Sequence, residues 1–358
     1  MTIRFEHGAL VAVGGLVVGL VAAVVMHPLE PATAAPKASI RLAASMVVPP
    51  PAPREPLIQA TRKKKVAAYG AGIDTLTGVV AKRISTLPGW SQLPPLESAE
   101  ALSETFRQLG YDLQRVRAGE ATVPRLFLAT LPGDIKDIRE ATQKKSLFFK
   151  TVLPLILQVN EEILNDRRRL WKLYYQANMG ERLSAADRLW LTVLSDRYGV
   201  DRGNIRGLLQ RVDIVPTSMA MAQAAEESGW GTSRFVQEGN AVFGQYTFSD
   251  TGSLIPARRG DDKTHKIKTF ASLLDSVRAY AHNLNTHRAY RGFRQARFKL
   301  RLKGAPLDGH VLADHLGSYS ERGMMYVLTI KGLIEANRLR HLDDARLNDD
   351  DPLQTPVI

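Results

Sequence analysis

The sequence predicts a mainly α-helical protein with one small β lobe, preceded by a membrane-spanning helix and a helical extension. Three observations predict it. Apolar residues recur at helical spacing through most of the chain from about residue 67 onward. One stretch, 242–270, changes to β-branched and alternating residues broken by turn residues. Near the N-terminus lies an uncharged run as long as a bilayer core is thick.

That run is residues 8–26, GALVAVGGLVVGLVAAVVM, about 19 residues, which is helix enough to cross the hydrocarbon layer. It follows Arg4 and is closed by His27 and Pro28, and the small residues of "PATAAPKAS" behind it would suit a signal peptidase. Residues 1–27 therefore read as an anchor in the inner membrane, or as a cleaved signal segment. In either case the remainder is expected to face the periplasm. The orientation signal itself is weak, because Glu6 offsets Arg4.

Residues 28–66 are rich in Pro and Ala around "VVPPPAPREP", a composition that buries little and favours a stiff, extended spacer. The spacer ends in "RKKK", which is either a solvated charge run or a contact for lipid headgroups or wall polymer. Residues 67–129 form the helical extension, with Ser98 as a helix cap and Gly110 interrupting the pattern. The long amphipathic stretch 144–178 predicts a helix kinked at Pro154, with Trp171, Tyr174 and Tyr175 in the core. Ser184 and Gly199 bracket a further helix, and 204–213 a short one. Beyond the β lobe, helical periodicity returns at 272–287, 311–319 and 324–339. The end, 346–358, reads as a disordered acidic tail, leaving 130–345 as the main domain.

The 358 residues are 44% hydrophobic and 23% charged, sufficient for one sizeable core with a smaller unit beside it. The net charge of +12 suits an anionic partner, although a solvated basic face would look the same. Cysteine is absent, which excludes disulfides, zinc fingers and thiol nucleophiles. His310 and His315 would not share a helix face, so no metal and no cofactor is expected. Basic and aromatic residues are not interleaved as in nucleic-acid readers, so no nucleic acid is expected.

The chemistry concentrates in "MAQAAEESGWGTSRF", 221–235. Thr217 or Ser218 is expected to cap a helix that is apolar on every face and stops at Gly229. Glu227 then lies at the C-terminal end of a buried helix beside Trp230. Burial and the helix dipole both disfavour its ionised form, so its proton affinity should rise. A carboxylic acid still protonated near neutral pH can protonate a leaving glycosidic oxygen. Gly229 and Gly231 would leave room for substrate, and Trp230 could pack on a sugar ring. The plainer alternative pairs Glu226 or Glu227 with Arg234 and places Trp230 in the core.

Taken with "EGNAVFGQY", this segment resembles the glucosaminidase-domain proteins of glycoside hydrolase family 73, in their Bax-type branch. The resemblance runs from about residue 130 to 340 and includes "RVDIVPTSMAMAQAA", "SVRAYAHNLNTHRAY" and "YSERGMMYV". It implies a lysozyme-like helical fold and hydrolysis of the β-1,4 bond after N-acetylglucosamine in peptidoglycan glycan strands. It places the catalytic acid at Glu227, whereas Glu226, about 100° around the helix, is not expected to act. It implies substrate contacts for Asn240, Gln245 and Tyr319, with Tyr319 facing the acid, and either a substrate contact or core packing for Phe243 and Tyr246, beside the sugar contact that Trp230 itself suggests. Two-carboxylate glycosidases also need a partner acid. No glutamate lies between Glu238 and Glu321, so either Asp250, Asp261 or Asp262 serves, or the substrate's acetamido group acts as nucleophile. A lytic transglycosylase or a non-catalytic wall-binding scaffold would share much of this pattern.

Overall fold

The computed structural model describes residues 98–247, 252–254 and 266–349. The span at 8–26, the spacer and the aspartates Asp250, Asp261 and Asp262 lie outside the described residues. Among the described residues, no helix is long and apolar enough to cross a membrane.

Helix α1 (Ala99–Gln108) starts where Ser98 Oγ accepts a hydrogen bond from the Ala101 N–H at 3.1 Å, and it buries Leu102 and Phe106 one turn apart. The short α2 (Leu113–Arg117) is capped by Asp112. Helix α3 (Ala141–Asn178) is 38 residues long and continues through Pro154. Proline removes one backbone donor, but Leu153, Pro154 and Leu155 are all buried, so packing holds the helix there.

Of its aromatic residues, Trp171 and Tyr174 pack against the core as expected and Tyr175 does not. Trp171, Tyr174 and Tyr175 pack on one another at 5.5–6.0 Å, but Tyr175 is 39% exposed. Beyond Leu170 only Leu173 of α3 is buried, so the helix projects past the core it packs on. Helix α4 (Ala185–Tyr198) has the ends the sequence predicts. Ser184 and Asp187 bond reciprocally, and Gly199 closes the helix in the left-handed conformation. Helix α5 (Ile205–Arg211) is capped by Asn204.

At the centre lies α6 (Thr217–Ser228), buried at every position from 217 to 225. It packs against α3, α10 (Gly309–Leu312), α11 (Met324–Ala336) and the 3-10 turn Leu339–Leu342. Each methionine buried there contributes about 1.5–3 kcal/mol. The N-terminus of α6 corrects one expectation. Neither Thr217 nor Ser218 is the cap; Pro216 occupies that position without a side-chain bond. Asp343 takes over the function from far along the chain, accepting from Ser218 N at 2.7 Å and Ser218 Oγ at 2.8 Å.

After α7 (Arg234–Gly239) comes the small sheet: β1 (Tyr246–Thr247), β2 (Ser253–Leu254) and β3 (Lys266–Lys268). Its order is β1-β3-β2 and every pairing is antiparallel. Thus β1 and β2, separated by the turn-like "SDTGS", both pair with β3 and not with each other. Helices α8 (Leu273–Thr286) and α9 (Arg291–Leu302) follow.

Two expected boundaries are not breaks in this architecture. Residues 98–129 and the main domain share one hydrophobic core, from Leu102 and Phe106 to Leu342 and Leu347. The expected tail is ordered at its beginning. Val123 donates to Arg346 O at 2.8 Å and accepts from Asn348 N at 2.9 Å, while Leu347 is buried. An apolar side chain with a free backbone edge to pair with is enough to dock these residues. Beyond 349 the chain lies outside the described residues.

Just before α6 sits a buried ion cluster. Asp213 is 2% exposed and receives two hydrogen bonds from Arg301, at 2.9 and 3.1 Å. Arg167 stands 3.5 Å away, and Arg297, fully buried, 3.9 Å away. Arg167 and Arg297 also donate to the carbonyls of Leu209, Val212 and Ile214. Burial alone would push the Asp213 carboxyl up. The charges of Arg297 and Arg167 and the Arg301 bonds outweigh it and hold the group below the ordinary carboxylate range.

Candidate active site

Glu227 lies in the last turn of α6, half-buried, where the apolar helix meets a cleft of about 1940 Å³. Its Oε1 accepts a hydrogen bond from Tyr326 Oη at 2.8 Å. The other oxygen is directed at Gly244, where an added methyl group would sit 3.5 Å from Oε2. Gly244 has φ +57°, which a side chain would strain. One residue type thus gives the turn its conformation and leaves the carboxyl uncovered.

The Tyr326 hydroxyl is itself held. It accepts from Gln223 Nε2 at 3.0 Å, and Gln223 Oε1 accepts from Tyr280 Oη at 2.6 Å. Gln223 lies one turn before Glu227 on α6, so a buried chain of bonds runs from α8 through α6 and α11 to the carboxyl. Burial raises the proton affinity of Glu227, and the neighbouring Glu226 charge adds to it. The Tyr326 bond and the Arg322 charge oppose the rise without cancelling it. Burial also drives the tyrosines up: Tyr290 to about 12, and Tyr280, Tyr319 and Tyr326 well above the ordinary phenol. All four remain donors at neutral pH.

Replacing Tyr326 by Phe deletes the donor that favours ionised Glu227, so the Glu227 proton affinity should rise further. The alkaline limb of the kcat/KM pH profile is expected to move to higher pH. The orphaned Gln223 amide should cost about 1–3 kcal/mol of stability. An unmoved limb would show that Tyr326 does not tune the acid.

Glu226 is not among the residues that line the cleft. It is paired with Arg322 at 2.6 Å, while Arg234, the partner suggested by the sequence, pairs with Glu238 at 3.3 Å. Phe243 and Gln245 do line the cleft, as does Tyr319. The Phe243 ring stacks on Tyr280 at 3.8 Å, and Gln245 Nε2 is buried with no partner among the described residues. Tyr319 stacks on Tyr326 at 5.4 Å and donates to Phe243 O at 3.2 Å. It therefore adjoins the acid's partner, whereas Tyr326 makes the bond to the acid. The Tyr246 side chain lies outside the described residues.

Trp230 and Asn240 do not line the cleft. Trp230 adopts φ 61°, which turns its ring edge-on against Phe148 and Phe149 at 6.0 and 5.2 Å, with Lys145 Nζ 4.8 Å from its centroid. Gly231 does not make room for substrate either, since a Cβ there would meet Leu131 at 2.9 Å and Phe148 at 3.1 Å. Ser-Gly-Trp-Gly is thus a tight stop that anchors the helix end carrying Glu227. Ser228 Oγ bonds Ala224 O at 2.6 Å and Gly231 N at 2.9 Å, and Trp230 N bonds Ala225 O at 3.0 Å. Asn240, at φ 51°, closes α7 and donates to Phe270 O at 3.2 Å, tying the end of α7 to the segment between β3 and α8.

Sequence reasoning missed Tyr326, Gln223, Tyr280 and Tyr290. Of the acids it weighed, only Glu227 lines the cleft among the described residues. The others there are Asp196, held by Arg202 at 2.9 Å, and Glu321. Among the described residues, no three His, Asp or Glu side chains are grouped to hold a metal ion.

Comparison with known proteins bears on this site. The family model described as mannosyl-glycoprotein endo-beta-N-acetylglucosaminidase matches residues 204–338. Protein bax of Escherichia coli (strain K12) is 36% identical over 204 residues, covering 55% of this chain and 71% of that protein. Among solved structures, the catalytic domain of the autolysin Auto from Listeria monocytogenes matches 48% of this chain and 96% of its own. The identity there is 17% and the TM-score 0.28. The matched segment 204–338 runs from the cap of α5 to the end of α11 and holds Glu227, Gln223, Phe243, Tyr319 and Tyr326. With that identity over most of a curated relative, the chain belongs to the glucosaminidase family of glycosidases, in its Bax-type branch.

Proposed function

We propose that this chain hydrolyses the β-1,4 bond after N-acetylglucosamine in peptidoglycan glycan strands, on a lysozyme-like scaffold, with Glu227 as general acid. One observation carries the reading. A half-buried carboxyl of raised proton affinity presents one oxygen to an open cleft beside Gly244, while Tyr326 fixes the other. Protonated Glu227 donates to the leaving oxygen as the glycosidic bond breaks, so no alkoxide has to leave. The positive charge that develops on the sugar is met by a second carboxylate or by the substrate's own acetamido oxygen. The basic surface suits an anionic wall polymer. Residues 8–26 would tether the domain to the inner membrane on its periplasmic side, or release it to the periplasm if cleaved, with the Pro/Ala spacer setting its reach.

The test is mass spectrometry of peptidoglycan digested by the protein and by Glu227→Gln. Fragments ending in reducing N-acetylglucosamine, absent with the variant, are the expected result. Anhydro-muramyl ends would assign a lytic transglycosylase instead. No products, with equal sacculus binding by both proteins, would make the chain a scaffold.

A further inference from the structure

The cleft is larger than the acid and its tyrosines require. Part of its lining comes from α4, α5 and α8 and the turn after α8, and this part carries the arginines Arg197, Arg211, Arg278 and Arg288, with His282 and His287 beside them. Three of these arginines are engaged. Arg197 pairs with Asp166 at 3.5 Å and Arg278 with Glu162 at 2.7 Å. Arg211 donates to Tyr198 O at 2.6 Å and Thr286 O at 3.2 Å, carbonyls that end α4 and α8.

Helix-end carbonyls attract cations but neutralise only about half a charge per helix. Positive charge is therefore left over. Arg211, Arg288, Arg291 and Arg294 have no acid partner among the described residues. Arg294, buried behind the turn, donates only to the carbonyls of Leu284 and His287. It is lowered to about 10, by burial first and then by the charges of Arg211 and Arg291, so it still carries its proton at neutral pH. Asp196, the acid in this arm, is bound to Arg202 at 2.9 and 3.2 Å and does not discharge it. Arg288 is exposed, lines the cleft and has no partner among the described residues.

We propose that this arm, centred on Arg288, binds a carboxylate on the peptide substituents of the glycan strand held at Glu227. The proposal rests on the glycosidase reading above, because the arm and the acid share one cleft. A strand lying along that cleft brings its side groups to the arm, and an uncompensated guanidinium in a groove is a carboxylate receptor. The enzyme is thereby selective for peptide-bearing strands over stripped ones.

The experiment uses the full chain, with peptide-bearing glycan strands and the same strands stripped of peptide by an amidase. Both kcat/KM and co-sedimentation are measured for wild type, Arg288→Glu and the remote reversal Arg115→Glu. Wild type should prefer peptide-bearing strands about tenfold, the worth of one charge-assisted hydrogen bond. The preference should collapse toward unity in Arg288→Glu, fall for wild type as salt is raised, and persist in Arg115→Glu. Equal handling of both strands by wild type, or an intact preference in Arg288→Glu, would overturn the proposal. So would equal loss in Arg115→Glu, which would assign the effect to overall charge. Should neither strand be cleaved, the hydrolase reading fails, and the co-sedimentation ratio alone then decides the arm.

Discussion

Replacing Glu227 by Gln is expected to reduce glycan hydrolysis by about 10³-fold or more while raising the melting temperature at neutral pH. On the proposed role, the activity loss follows from removing the proton that Glu227 would give to the leaving oxygen. The stability gain follows from where the carboxyl sits. Its folded-state proton affinity is raised above the ordinary 4.5, chiefly by burial. The native state therefore holds this proton more tightly than the unfolded chain does. Below the ordinary value both states are protonated and Glu227 costs nothing. As pH rises through that value and on through the higher folded one, the cost appears and reaches its full size. Gln keeps the acceptor for Tyr326 and does not titrate. Melting curves of both proteins should nearly coincide near pH 4 and separate by pH 7, with the variant more stable. A variant less stable at pH 7, or a gap that does not change with pH, would show that burial of this carboxyl carries no strain.

Asp213→Asn is expected to be the most damaging single substitution for stability, costing about 3–5 kcal/mol. It would leave Arg167 and Arg297 buried without a counter-charge, and Arg301 without its bidentate partner. The expected fall in melting temperature is on the order of 10 °C. Here the pH dependence has the opposite sign. Asp213 is held below its ordinary 3.8, so its contribution is present above that value and lost as pH falls through the lower folded one. Wild type and variant should converge in strong acid. Arg301→Ala, which removes the most exposed of the three arginines, should cost much less. Equal losses from the two substitutions would mean that the cluster is held by shape and not by charge.

How far the sequence predicts this site depends on how local each determinant is. The all-apolar run of α6, the caps at Ser98 and Ser184 and the stops at Gly199 and Gly229 act within one turn, and the structure has them where the pattern puts them. Glu227 is legible for the same reason. Tyr326 and Tyr280 are not, since they lie 103 and 57 positions from Gln223 and meet it only through folding. Asp343 reaches Ser218 across 125 positions and displaces the local cap for the same reason. Trp230 and Asn240 illustrate another limit. Their side chains suit a sugar, but their positive φ values direct them to packing and capping, and backbone conformation is not visible in residue type. Residues 346–348 read by composition as part of a disordered acidic tail, yet one leucine and a free backbone edge are enough to dock them.

The burial of α6 also has an evolutionary consequence. A helix with no solvent face from 217 to 225 cannot drift one residue at a time, because every substitution disturbs the core. The helix that carries Glu227 at its end is therefore inherited together with the fold. The cleft segments at 287–291 and 318–322 are mostly exposed and free of that constraint. If Glu227 is the acid, new substrate preferences should accumulate in those two loops while the helix that carries it stays the same.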